Sequence, residues 1–322
     1  MSATVQTLQP GTPVSGGVFL LINPQARENT NGKPYLRCML RDSTGEVACR
    51  WWTFDPAQLP SLERASVVEI DGDVVAFKGQ QQVHVQTMRP LEPTPHRLKS
   101  LLPTSSRDND EMFAEVRTLL ESITSPSLRG LVDAVLDDDP LIADFRAAPA
   151  AMSMHHAWIG GLMEHTGQMM RIGDAVVGLY GDAGISLDRD MVLVGLFFHD
   201  LAKTAELQWR DGFGYTVRGN LVGHIVDGAQ LVETKASEAE LAGAPALADD
   251  DLAVLQNIVL SHHGRAEYGA AKPPMTPEAV LVARIDELEA HTRMAADGVA
   301  GHARGMTEVV RGLGNRLFAR GE

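Results

Sequence analysis

The chain has only two cysteines in 322 residues, few aromatic side chains (5%), and more acidic than basic groups. Each shortage removes a class of protein. Cys38 and Cys49 lie inside strand-like runs and are too few for a disulfide framework or a thiolate metal site, so they read as buried free thiols. No apolar run reaches the roughly 18 to 20 residues that a membrane span needs. The first residues, Met1-Ser-Ala-Thr-Val-Gln6, lack the basic and then apolar regions of a secretory signal, so a cytoplasmic protein with no membrane partner is expected. A net charge of −14 argues against non-specific duplex binding through a broad basic surface. No internal repeat is visible.

What is present is ordinary for a globular chain, with 44% hydrophobic and 22% charged residues. At roughly 150 residues per domain the length suggests two domains. The charge is unevenly spread: residues 1–95 carry 8 basic and 9 acidic side chains, and the remainder carry 20 and 33. A nearly neutral N-terminal module keeps room for a local basic groove.

Five short strand-like runs occupy the first third: Gly17–Ile22, Tyr35–Leu40, Glu46–Trp52, Ser66–Phe77 and Gln82–Gln86. Turn signals at Asn31-Gly32, Asp42–Gly45, Asp71-Gly72 and Lys78-Gly79 separate them. That pattern suits a small five-stranded barrel, an OB-fold first and an SH3-like barrel second. The segments Thr30–Leu36 and Leu40–Gly45 and the Trp51-Trp52 pair resemble nucleic-acid-binding OB modules related to those that bind tRNA anticodons. Such modules stack bases on aromatic rings beside cations that follow the phosphates. Tyr35, Trp51, Phe54, Lys33, Arg37, Arg41 and Arg50 are the candidates, against the alternative of a scaffold or oligomer interface. Period-two alternation requires that one of Trp51 and Trp52 face the core.

A polar, proline-punctuated stretch over residues 90–110 marks the boundary, giving domains of 1–95 and 111–322 joined by a 96–110 linker. Helices are expected at Asp110–Ile123, Pro126–Leu136, Pro140–Ala147, Ala157–Leu179, Asp190–Lys203, Val222–Ser237, Asp249–His262, Thr276–Ala295 and Thr307–Phe318. Loops at Trp209–Asn220 and Gly264–Pro274 interrupt the series, and the tail from Gly301 is expected to fray. The fold class is therefore α+β, a small barrel followed by an all-α bundle.

The chemistry concentrates around Gly195–Thr204, where an apolar helix ends in His199-Asp200 with Lys203 one turn on. Met191–Phe198 is apolar on all sides, as a central helix is, and a buried carboxylate at its end needs a charged partner or a metal. An adjacent His-Asp pair arises about once by chance in a chain of this composition. Its company is more telling. Seven of the eleven histidines fall at His155, His156, His165, His199, His224, His262 and His263, and Asp286 sits in an otherwise apolar turn. Imidazole with carboxylate suits Mn, Fe, Co, Ni or Zn. Asp200 could bridge two ions, and Lys203 projects to the same side, able to hold a phosphate oxygen.

Residues 110–295 resemble the HD superfamily of metal-dependent phosphohydrolases. The segments His155–Thr166, His199–Thr204, Gly219–His224, Ser261–Gly264 and Glu278–Asp286 are similar to the YhaM-type 3′–5′ exoribonucleases of bacteria, which also carry an N-terminal OB module. The resemblance implies a first metal held by His165, His199, Asp200 and Asp286. It implies a second held by His224, His262 and His263 with Asp200 shared, manganese being favoured in both. His199, Asp200 and Lys203 would be the catalytic residues; His155 and His156 match a family motif for which orienting ligands or touching substrate stands beside a purely structural role. Glu289 departs from the family's Asp, and Tyr268-Gly-Ala-Ala-Lys272 departs at the rim of the cleft.

Three functions compete. The first is a metal-dependent 3′–5′ exonuclease that takes single-stranded RNA, with DNA and self-association left open, and releases nucleoside 5′-monophosphates. The second is a phosphohydrolase of free nucleotides or cyclic dinucleotides with a regulatory barrel. The third is a non-catalytic nucleic-acid-binding adaptor.

Overall fold

The computed structural model describes residues 3–63, 65, 67–77, 79–152, 155–209 and 214–321. Ser66, Lys78 and the centre of the Trp209–Asn220 loop lie outside the described residues. The chain divides into two compact units. One comprises the described residues of Met1–Thr104 and Gln208–Gly214, and the other those of Ser105–Leu207 and Tyr215–Glu322.

In the first unit, β1 (Pro13–Glu28), β2 (Pro34–Asp42), β3 (Gly45–Trp51), α1 (Leu59–Glu63), β4 (Val67–Phe77) and β5 (Gln80–Leu91) form a closed OB-type barrel in the order β1-β2-β3-β5-β4. Closure removes the free edges that would invite pairing with other chains. Alternation decides which side chains point inward: Leu36, Cys38 and Leu40 of β2 and Val47, Cys49 and Trp51 of β3 all join the core with Phe19, Ile70 and Val83. Cys38 stands directly opposite Cys49, both buried as free thiols. The fourth strand bends where the register slips between Asp71 and Gly72, and a Cβ on Gly72 would lie 2.3 Å from the His84 carbonyl oxygen. Glycine is therefore required at this bulge. Helix α2 (Pro95–Leu101) follows, within the stretch the sequence suggested was an irregular connection; Thr94 caps it and Leu98 and Leu101 are buried.

The second unit is helical. Helices α3 (Asn109–Glu121), α4 (Pro126–Leu136), α5 (Asp139–Ala147), α6 (Gly161–Asp182) and α7 (Arg189–Phe198) are followed by the short α8 (Lys203–Glu206) and α9 (Val217–Leu221); the two-residue strands β6 (Leu207–Gln208) and β7 (Gly214–Tyr215) fall at the two points between α8 and α9 where the chain passes from one unit to the other. Then come α10 (His224–Leu241), α11 (Asp249–Ser261) and α12 (Pro277–Val299). Among the described residues no helix is long and apolar enough to cross a membrane.

Helix α7 is the axis of this unit, since every residue from Asp190 to Phe198 is buried. Two glycines let its neighbours close in. A Cβ on Gly195 would meet Ile258 of α11 at 2.8 Å, and one on Gly173 of α6 would meet Leu196 at 2.4 Å. The N-terminal end is fixed by Asp190, whose Oδ2 accepts hydrogen bonds from the Thr124 and Ser125 amides and the Thr124 hydroxyl. The other end is thus held in place beneath the functional cluster.

Three expectations about local structure change. Helix α6 begins at Gly161 rather than Ala157, because Gly160 adopts φ 80° and His156 φ 50°, which no α-helix accommodates. The run Asp190–Lys203 is not one helix; α7 stops at Phe198 and residues 199–202 form turns before α8. The tail is not a frayed helix but a hairpin of β8 (Gly305–Val309) and β9 (Arg316–Ala319). Positive φ at Gly305, Gly312 and Gly314 and the β-branched pair Val309-Val310 disfavour a helix there.

Candidate metal centre and nucleic-acid face

The turn after α7 brings His199 and Asp200 to the middle of the helical unit. Both are almost wholly buried. The two oxygens of Asp200 face different histidines. Oδ2 lies 3.3 Å from His199 Nε2 and 3.8 Å from His165 Nε2, while Oδ1 lies 3.4 Å from both His224 Nε2 and His262 Nε2. Asp286 adds an oxygen 3.4 Å from His165 Nε2. Two groups that could hold a metal ion result, His165 with His199 and Asp286, and His224 with His262, His263 and Asp200. Lys203 Nζ donates to Asp200 Oδ2 at 2.7 Å, so the cation expected to hold a phosphate oxygen already balances the shared carboxylate.

The outward nitrogens explain why the Nε2 atoms converge. His199 and His262 each sit one residue beyond a helix, where carbonyls lack intrahelical partners, and donate from Nδ1 to the oxygens of Leu196 (2.6 Å) and Val259 (2.7 Å). His263 Nδ1 donates to the Tyr268 oxygen at 2.8 Å. The other two use carboxylates: His224 Nδ1 to Glu206 Oε2 at 2.8 Å and His165 Nδ1 to Glu289 Oε2 at 2.6 Å. With Nδ1 donating, a neutral ring presents a bare Nε2 lone pair to the interior, the tautomer a metal ligand needs.

Charge follows the same geometry. Burial alone would raise the Asp200 pKa, but Lys203 and His199 outweigh it and hold the group well below the ordinary carboxylate range. Burial likewise opposes ionisation of Asp286 and Glu289, and the histidines they accept from keep both low. Burial lowers His165 too, yet the Asp286 and Glu289 carboxylates lift it to about 9. Burial drives His155 and His263 down to about 3, leaving both neutral near pH 7.

The residues fit a divalent transition metal. Asp200 Oδ1, His224 Nε2 and His262 Nε2 are buried, mutually close and without a hydrogen-bond partner. Leaving such polar atoms unsatisfied costs about 1–3 kcal/mol each, and a cation bound by imidazole and carboxylate removes that cost. A third cluster, His156 with His165 and Glu289, is different: each Glu289 oxygen already accepts from a ring nitrogen, at 2.7 Å from His156 Nε2 and 2.6 Å from His165 Nδ1. It is a hydrogen-bonded clamp on His165. The loop carrying His155 and His156 is locked against α6, since a Cβ on Gly161 would lie 2.0 Å from the His156 oxygen. His155 instead lines a cleft of about 510 Å³ together with Lys203, His262, His263 and Asp286.

On the barrel, the structure separates the nucleic-acid candidates. Trp51 is 6% exposed and packs on buried Phe54 at a ring distance of 5.7 Å, so neither has a free face for a base. Arg41 is buried with its Nε 3.1 Å from Glu46 Oε1, and is not a phosphate-facing cation. The exposed partner is Trp52, at 44%. Its ring lies 4.7 Å from Tyr35, tilted by 31°, and 5.8 Å edge-on from His84. Arg37 and Arg50 are register partners on the same outer face, and Arg50 pairs with His84 across β3 and β5. Lys33 is exposed at the start of the strand. Sequence reasoning missed Trp52, His84 and Glu206. Strand alternation offered Trp51 and Trp52 equally, and only the register chooses; Glu206 meets a histidine 18 positions away, which no local pattern signals.

Comparison with known proteins agrees with both units. The HD domain family matches residues 162–291, and an OB-fold nucleic acid binding domain family matches residues 24–91. The 3′–5′ exoribonuclease YhaM of Bacillus subtilis is 31% identical over 303 residues, 93% of each chain. The chain belongs to the YhaM 3′–5′ exoribonuclease family. The YhaM proteins of Bacillus velezensis (32% identical, covering 93% of this chain and 92% of that one) and Listeria innocua (31%, 94% and 93%) are similar over the same extent.

Glu289 does not line the cleft of about 510 Å³, yet it accepts from Nδ1 of His165 at 2.6 Å. In Glu289→Gln an amide NH₂ faces one of the two imidazole N–H groups, and Mn²⁺ affinity is expected to fall about 10- to 100-fold. Competition with a chromophoric chelator measures this; unchanged affinity would show that Glu289 does not orient His165.

Proposed function

We propose that the chain is a metal-dependent 3′–5′ exoribonuclease that hydrolyses single-stranded RNA to nucleoside 5′-monophosphates in the cytoplasm. The observation that carries this reading is the shared carboxylate of Asp200, with one oxygen toward each of two histidine sets. Membership in the YhaM family and the OB-fold support the choice of substrate. His165, His199, Asp200 and Asp286 would hold one divalent ion, and Asp200, His224, His262 and His263 a second, with manganese favoured over Fe, Co, Ni or Zn. When bound, such a pair supplies Lewis acidity to the phosphoryl oxygens and lowers the pKa of the attacking water.

The chain's own groups do the rest. Asp200 keeps its charge despite burial because Lys203 lies 2.7 Å away, and Lys203 stays protonated because Asp200 outweighs its desolvation. As negative charge builds on the phosphoryl group, Lys203 at the cleft wall is placed to share it. His155, held neutral, offers a ring nitrogen to the cleft. On the barrel, Tyr35, Trp52 and His84 form a stacking platform, and Arg37, Arg50 and Lys33 line the phosphate path. Stacking platforms of this kind tolerate any base.

Asp200→Ala tests the metal reading. It should lower Mn²⁺-dependent shortening of an end-labelled oligoribonucleotide by about 10³-fold or more, while equilibrium binding of the same strand stays near wild type. Full activity in that variant would show the site to be wrongly assigned.

Trp52→Ala tests the barrel's part in the same reading. Loss of one stacked base should weaken single-strand binding by about 1–3 kcal/mol in a fluorescence anisotropy titration, without lowering the melting temperature. Undiminished binding would favour a nucleotide-sized substrate handled by the helical unit alone.

A further inference from the structure

The cleft at the candidate metal centre runs along one face of α12. Val280, Arg284, Glu287, His291 and Met294 recur every three or four residues, a stripe roughly 21 Å long at 1.5 Å per residue. Asp286 lies near its middle. The two ends differ in chemistry. Toward Val280 the walls carry Tyr268, Pro274 and the cations Arg265 and Arg284. Toward Met294 the lining is Ala290, His291 and Met294, and the turn residues Gly312 and Leu313 of the C-terminal hairpin complete the wall.

That hairpin is docked. Gly298 of α12 meets it so closely that a Cβ there would lie 2.7 Å from Val310, and Thr307 and Ala319 are buried. Its turn is closed by hydrogen bonds from the amides of Leu313 and Gly314 to the Val310 oxygen, at 3.2 and 3.1 Å. Glycines at 312 and 314, with φ of 93° and 70°, allow the chain to double back and set Leu313 at the cleft. The hairpin is also basic in an acidic chain, with Arg304, Arg311, Arg316 and Arg320 against Glu308 alone.

We infer that the Gly312–Leu313 turn is the stop against which the 3′-terminal nucleoside rests, so that this chain's own hairpin restricts cleavage to strand ends. The inference rests on the exoribonuclease reading above. On this inference the end bounded by Met294 and Leu313 takes the terminal base and ribose, the scissile phosphate lies beside Asp286 and Lys203, and the strand leaves past Arg284 and Arg265. A cleft open at both ends would admit an internal phosphodiester; one closed by Leu313 admits only a terminus.

Two measurements on full-length Mn²⁺-loaded protein test it. A variant lacking residues 312–314, in which Val310, Arg311 and Asn315 link the two strands, is given circular and linear single-stranded RNA of the same sequence. Wild type should shorten only the linear strand, and the variant should cut the circle at a rate at least roughly tenfold above wild type. A variant that shortens linear RNA but leaves the circle intact overturns the inference. Failure of wild type on linear RNA would instead refute the exonuclease reading. The second measurement needs no change in the protein: the Mn²⁺-loaded wild type is photo-cross-linked to RNA whose last linkage is a non-hydrolysable methylphosphonate and whose 3′-terminal base is thiouridine. Cross-links should fall in Gly305–Ala319 and vanish from that segment when the label moves several nucleotides inward. Cross-links confined to residues 265–284, or none at all, overturn it.

Discussion

A single buried carboxylate constrains everything around it. Asp200 sits where water cannot reach it, and an isolated anion there would neutralise rather than persist. It remains charged because Lys203 touches one oxygen and four imidazoles approach the pair of them. The histidines in turn can point inward only because their other nitrogens are tied to helix-end carbonyls, to Tyr268 or to Glu206 and Glu289. Removing any one tie would free a ring while leaving the candidate ligand itself in place.

The fold serves this arrangement by making α7 a rigid post. Its buried surface on every side, the close approaches at Gly173 and Gly195, and the anchoring of Asp190 leave the turn at 199–202 little freedom. The candidate ligands then arrive from α6, α10, α12 and the turn after α11 on separate segments, so the cluster forms only when the whole unit packs. The barrel solves a different problem. It closes its own edges and turns a row of aromatic and cationic side chains outward, a surface suited to holding a flexible strand by base faces and phosphates.

Much of this was legible in the sequence because metal chemistry restricts residue type. Histidine and aspartate in a fixed order over helical segments pointed to the centre, and the apolar run before His199 announced a buried helix. What escaped was whatever depends on register or on distant partners. Adjacent tryptophans are equivalent until strand pairing turns Trp51 inward and Trp52 outward. Arg41 read as a surface cation, but Glu46 across the β2–β3 hairpin lets it be buried. Glu289 stood out only as a departure from a familiar pattern, although it grips two histidines. The hairpin at 305–319 was hidden because its apolar residues also fit a short helix, and glycine at three positions outweighed that periodicity.

The account depends on Asp200 joining two ions into one centre, and electron paramagnetic resonance of Mn²⁺-titrated protein addresses that directly. Two Mn²⁺ per chain sharing a carboxylate should give an exchange-coupled spectrum that develops as the second equivalent is added. A spectrum of isolated, uncoupled Mn²⁺ at every ratio, or saturation at one ion per chain, would contradict the shared-carboxylate centre.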